Sequence, residues 1–200
     1  MKTIILIISL LLSVNIFGDL HFGVKAGVNY NDADIISPIH GLGESYSYDI
    51  NYSGGIFLIK ELNEYFYISI EGLINNKGFE LDDGNISQLT ATYMEFPLLL
   101  GTKYNSFYIY SGLYYAKYLY SSEECKEGCS GSNNGIFDSE LIESDTGIII
   151  GAGYNYKRFL FDLRYSKGIT EINEMPGDRE YSSGIDNFYQ FIFSVGFMFK

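Results

Sequence analysis

Eight stretches of this sequence alternate large apolar residues with small or polar ones at every second position. A period of two marks a strand with two unlike faces, because successive side chains point to opposite sides of a sheet. The stretches are Leu20–Tyr30, Asp49–Lys60, Tyr65–Asn76, Leu89–Lys103, Phe107–Tyr120, Asp145–Tyr156, Phe159–Thr170 and Asn187–Phe199. The last of them carries Tyr189, Phe191, Phe193, Val195, Phe197 and Phe199 on one face. Its other face is Gln190, Ile192, Ser194, Gly196 and Met198. Each stretch reaches or exceeds the ~9–11 residues that a tilted strand needs to cross a bilayer.

The connections alternate as well. Glu61–Glu64, Tyr104–Ser106 and Lys157–Arg158 are tight polar turns, whereas Asn31–Tyr48, Lys77–Gln88, Ser121–Ser144 and Glu171–Asp186 are long. Short turns at one end and long loops at the other are the layout of an outer-membrane barrel, with the turns in the periplasm. The expected fold is therefore all-β: a closed antiparallel eight-stranded transmembrane barrel, monomeric, with its apolar stripe against outer-membrane lipid. The composition agrees, with Tyr 19, Phe 15 and Gly 22 in a chain only 19% charged, a mixture poor for helices and good for strands.

The opposite face gathers Gly, Ser and Asn with five charges, Lys25, Glu71, Glu95, Asp162 and Arg164, and Lys117 as a sixth candidate. A soluble lipocalin-like ligand-binding barrel would invert this, with the stripe inside and the charges outside. The small number of charges, the glycine-rich second face and the clustering of long loops at one end favour the membrane orientation.

The first residues, MKTIILIISLLLSVNIFG, place one Lys before an apolar run that closes on Gly18. That is the layout of a secretory signal peptide, giving residues 1–18 as signal and 19–200 as barrel domain. Removal of Lys2 with the signal changes the formal net charge from −12 to −13. Such a balance excludes nucleic acid as the expected partner, since phosphate binding needs clustered Lys and Arg.

GVKAGVNY after the signal, then YMEFPLLLGTKY, DTGIIIGAGYNY, FLFDLRYSKGITEIN and the aromatic last strand resemble the PorT-type outer-membrane β-barrel family. The resemblance covers nearly the whole mature chain and implies a small eight-stranded outer-membrane protein of a diderm bacterium. It also implies an accessory role in a protein-secretion machinery, since one member of that family is associated with such a system. It supplies no catalytic residues. The chain departs from the pattern in Lys200 after the terminal Phe199 and in a CKEGC segment.

Chemistry is sparse. Glu71 and Glu95 share the inner face, but eight strands enclose only enough room for side chains, so a paired-carboxylate glycosidase has no route for its substrate. The inner charges read instead as a structural lumenal ion-pair network. A lipid-acting barrel enzyme would need a nucleophile and base near the outer leaflet, and only His40 lies in a long loop; His21 sits at the periplasmic start. Cys125 and Cys129 admit a small loop disulfide, free thiols or a metal site, although Glu123, Glu124 and Glu127 are poor companions for a thiolate zinc centre. No cofactor is expected. The long connections are strongly acidic, an expected interaction surface for cations or a basic protein. The overall expectation is a non-enzymatic barrel with an envelope or surface role.

Overall fold

A computed structural model of the chain describes residues 19–36, 45–47, 49–82, 86–127, 144–169 and 184–199. Its strands are β1 (Leu20–Ile36), β2 (Ser45–Ser47), β3 (Asp49–Glu61), β4 (Phe66–Asp82), β5 (Ile86–Tyr104), β6 (Phe107–Glu127), β7 (Ser144–Tyr156), β8 (Phe159–Gly168) and β9 (Gly184–Phe199). Every strand but β2 pairs antiparallel with two neighbours, and the β1–β9 seam closes the circle into an eight-stranded barrel. β2 adds three residues to the outer end of β4. Closure leaves no sheet edge in the hydrocarbon, where an unpaired N–H or C=O would cost several kcal/mol.

The tight turns have clear local causes. Asn63 Oδ1 accepts the backbone N–H groups of Tyr65 and Phe66, both at 2.8 Å, and so holds the first turn. The other two place Asn105 at φ 55° and Lys157 at φ 59°. Left-handed backbone of this kind suits a two-residue hairpin, is easy for Asn and costs something at Lys.

The strands outrun the expected boundaries at the far end. The ladder continues through Lys77↔Ala91 to Asp82↔Ile86, so the expected loop Lys77–Gln88 is mostly a hairpin. β1 reaches Ile36 and β6 reaches Glu127. The apolar stripe fades where the strands leave lipid while the hydrogen-bond ladder does not, so a reading based on hydrophobic alternation stops too early. At about 3.3 Å per residue, the 21 residues of β6 extend ~70 Å along the strand, far more than a ~25 Å apolar band needs even when tilted.

The two faces separate cleanly. Phe193 and Leu163 are 53% and 58% exposed, whereas Ser194, Asp162 and Arg164 between them are 2–3% exposed. Towards the turn end the outer face carries touching aromatic rings, Phe22 with Phe199, Phe107 with Tyr154 and Phe159 with Phe197. This is the aromatic girdle of a membrane–water boundary. Thr92 shares the parity of the outward-facing Met94, Phe96 and Leu98 but not their exposure. It is buried, and its hydroxyl donates to Asn76 Oδ1 at 3.0 Å beside a register shift at Thr92/Tyr93.

Inside, glycine has a specific partner. Tyr67 pairs across the ladder with Gly101, and Tyr108, Tyr110 and Tyr114 pair with Gly153, Gly151 and Gly147. At each of these glycines a Cβ would overlap the facing tyrosine ring. The missing side chains are the space the rings fill, and Tyr67, Tyr108, Tyr110 and Tyr114 form the buried cluster with Tyr93, Leu99 and Ile149.

Phe193→Arg should lose about 2–4 kcal/mol, the cost of Arg near the midplane of a barrel's lipid face, and fail to give the compact, heat-modifiable gel band. Ser194→Arg should fail differently, by overfilling the lumen; apolar substitutions at Ser194 combined with normal assembly of Phe193→Arg would reverse the faces. Gly101→Ala should cost about 1–3 kcal/mol in denaturant titrations, and Tyr67→Leu in the same chain should recover part of it.

Candidate functional site: the charged lumen

Period two places Asp162 and Arg164 on the same inner face of β8, one residue apart in the stack. β9 and β1 separate β8 from β3, and β3 separates β1 from β4, so Lys25 of β1 stands midway between Asp162 and Glu71. Its ammonium donates to Glu71 Oε1 and to Asp162 Oδ2, each at 3.0 Å. The Arg164 guanidinium meets the same two acids. Nη1 lies 3.0 Å from Glu71 Oε2, and Nη2 donates to Glu71 Oε1 at 3.1 Å and to Asp162 Oδ2 at 2.9 Å. The Tyr110 hydroxyl donates to Asp162 Oδ1, and the Tyr110 ring lies 5.6 Å from the guanidinium carbon. Two cations and two anions thus form a closed quartet, with all four side chains buried. Between Arg164 and Glu71 only Nη2 to Oε1 is a hydrogen bond; Nη1 and Oε2 approach at ion-pair distance without one.

Glu95, the fifth expected charge, belongs to a different level. Its Oε2 accepts from Asn75 Nδ2 at 2.9 Å and lies 3.8 Å from the Lys77 ammonium. Lys77 donates to Asp145 Oδ2 at 2.6 Å, which also accepts from the Tyr114 hydroxyl at 2.8 Å. The ammonium sits over the rings of Tyr114 and Tyr93, at 4.6 and 5.2 Å from their centroids. An amide relay joins this level: Asn29 Nδ2 donates to Asn75 Oδ1 at 2.7 Å, Asn75 Nδ2 to Gln190 Oε1 at 3.0 Å, and Gln190 Nε2 to Asn31 Oδ1 at 2.6 Å.

Lys77 and Asp145 lie outside the five expected interior charges, and Lys77 opens the expected loop Lys77–Gln88. The signal was present, since Lys77 continues the parity of Glu71, Leu73 and Asn75, and Asp145 that of Gly147 and Ile149. Lys117 is corrected in the other direction. It faces outward, exposed, opposite Met94, because Tyr114 and Ala116 hold the inner parity of β6.

At the turn end His21 Nε2 lies 3.5 Å from Glu61 Oε1, and Lys103 Nζ lies 2.6 Å from the same oxygen. Cys125 falls in β6 opposite Ser87 rather than in a loop, while Cys129 and His40 lie outside the described residues. Among the acids of the long connections, Asp32, Asp34, Glu80, Asp82, Glu123, Glu124 and Glu127 occupy strand positions beyond the bilayer-length core. Among the described residues no group of three or more His, Cys, Asp or Glu is placed to hold a metal ion.

Removing one member of a buried quartet strands the others. Arg164→Met should cost about 3–5 kcal/mol in thermal or denaturant unfolding, and the double change Arg164→Met with Glu71→Gln should recover much of that loss by leaving Lys25 and Asp162 balanced. Equal losses in the single and double variants would mean that Arg164 and Glu71 are not energetically coupled.

A sequence-family model described as an outer membrane protein beta-barrel domain matches residues 13–174. No curated protein matches the chain. Among solved structures, Ail of Yersinia pestis, in complex with the heparin analogue sucrose octasulfate, is 13% identical with a TM-score of 0.48, over 90% of this chain and 99% of that one. OprG of Pseudomonas aeruginosa is 15% identical with a TM-score of 0.48, over 91% and 97%. The outer membrane protein W of E. coli is 15% identical with a TM-score of 0.41, over 90% and 97%. The family match spans most of the sequence and agrees with the lipid-facing stripe and the closed ladder: the chain belongs to the outer membrane protein beta-barrel domain family.

Proposed function

We propose that this protein is a non-enzymatic envelope barrel whose interior is a structural strut and whose far end presents acidic residues to a partner outside the cell. The observation that carries the reading is the filled lumen. The Lys25, Glu71, Asp162 and Arg164 quartet, with tyrosine rings below it and the Lys77 level above, occupies the cross-section where a pore or a substrate would have to be. Glu71 is held by two cations and Glu95 is fully buried, so neither is available as a general acid or base. His21 is tied to the turn-end acid Glu61, away from the outer leaflet where a lipid-acting enzyme would work.

The acidic far end supports an interaction surface for cations or a basic protein, because like charges carried on long strands project a negative field beyond the lipid. A finer placement in the PorT-type branch rests on the order of GVKAGVNY, YMEFPLLLGTKY and DTGIIIGAGYNY, and the secretion-accessory role follows from that resemblance alone. Residues 1–18 are read as a cleaved signal, which suits the start of the β1 ladder at Leu20. Crosslinking the intact protein in its native membrane identifies the captured partner and separates the two roles.

The strut reading has a direct electrical test. Purified barrel inserted in planar bilayers should give no conductance above background. A steady cation-selective current abolished by Glu95→Gln would overturn the reading and make the protein a channel.

A further inference from the structure

Below the tyrosine floor, at the turn end, the barrel opens into a cavity of about 250 Å³ that the strut does not fill. Its floor is Tyr67, Tyr108 and Leu160, all buried, with the two rings edge to face at 6.3 Å, so the cavity is a dead-end cup and not the mouth of a channel. Its wall is amphipathic: Ile59 and Met198 supply apolar surface, and Glu61, Lys103 and Lys157 supply charge beside the His21 imidazole. Glu61 is already engaged by His21 and Lys103. Lys157 has no carboxylate partner among the described residues; its ammonium lies 5.3 Å from the Tyr156 ring centroid. In a chain of net charge −12, this cup therefore carries a local positive surplus. One more group is unsatisfied, since the side-chain oxygen of Asn155 is buried at the cup wall without a hydrogen-bond partner.

We propose that the cup receives the free C-terminus of an extended periplasmic peptide ending in an apolar residue. The three demands of the wall are the three groups that such a terminus offers. The terminal carboxylate meets Lys157 and Lys103, the terminal side chain lies on Tyr67, Tyr108 and Leu160, and the last peptide N–H donates to Asn155. Size agrees, because small-molecule pockets usually run ~300–1,000 Å³ and this one suits a single terminal residue. A fatty acid would satisfy the charge and the floor but leave Asn155 without a donor. The proposal takes the periplasmic orientation of the turn end from the functional reading above.

The test is fluorescence anisotropy with the full barrel in nanodiscs. Two labelled glycine–serine peptides ending in phenylalanine are compared, one with a free carboxylate and one with a C-terminal amide. The acid should bind saturably and about tenfold or more tighter than the amide, the scale of a lost charge-assisted hydrogen bond. Lys157→Asn tolerates the left-handed backbone at that position, and it should weaken the acid about threefold while leaving the amide unchanged. Equal binding of acid and amide, no saturable binding of either, or binding of decanoate with none of the peptide acid would overturn the proposal. Because the barrel is already purified and inserted, failure here says nothing against the membrane orientation itself.

Discussion

Backbone hydrogen bonding in a solvent that offers no partners is the constraint on which the rest of this structure depends. Hydrocarbon cannot satisfy an N–H or C=O, so the strands must satisfy one another around a complete circle. Closure through β1 and β9 does this, and it also fixes the interior. Eight strands surround a volume too small for bulk water and too polar at its backbone rim to be left as oil. The inner face must therefore be solid, and it is made so by two devices of different kinds. Tyrosine rings lie on cross-strand glycines, giving large side chains room that two facing large residues would not leave. Charges that remain are held in groups whose members come from several strands, with Lys25 and Arg164 each serving both Glu71 and Asp162.

These devices explain why the inner face looks so poor in hydrophobic signal while still being a core. The outer face is the more apolar of the two, but it makes few specific contacts; lipid covers it. Specificity of register resides inside. A two-residue slip of β6 against β7 would keep the apolar stripe towards lipid but would set Tyr114 opposite Ile149 or Asp145 rather than Gly147. The Tyr–Gly pairs and the quartet accordingly select one register among several that the outer stripe alone would accept.

Much of this was legible in the sequence because both relevant periods are local. The faces of β8 and β9 could be read residue by residue, and Lys25, Glu71, Glu95, Asp162 and Arg164 all lie inside, buried. What was not legible came from two sources. Strand ends beyond the bilayer lose the apolar signal, which hid the inward parity of Lys77 and Asp145 and made the β4–β5 hairpin look like a loop. Register between strands is a non-local property, so the division of the charges into a quartet and a separate Lys77 level could not be seen. Lys117 fell the other way because a register shift at Leu119 leaves both Leu119 and Tyr120 exposed, so counting back from Tyr120 gives the wrong face, while Tyr114 and Ala116 settle the parity.

The position of the quartet across the seam ties its assembly to the order of events in time. Glu71 sits on β4, Asp162 and Arg164 on β8, and Lys25 on β1, the strand whose pairing with β9 joins the two ends of the barrel. Hairpins β3–β4 and β7–β8 join neighbouring sequence, but until the seam zips, Lys25 cannot lie between Glu71 and Asp162, and the quartet stays divided into a Lys25–Glu71 half and an Asp162–Arg164 half. Dehydration of the lumen and joining of the first strand to the last are consequently one step. A half-closed barrel would hold Lys25 and Asp162 on strands that have not yet been joined, and its interior could not be dry.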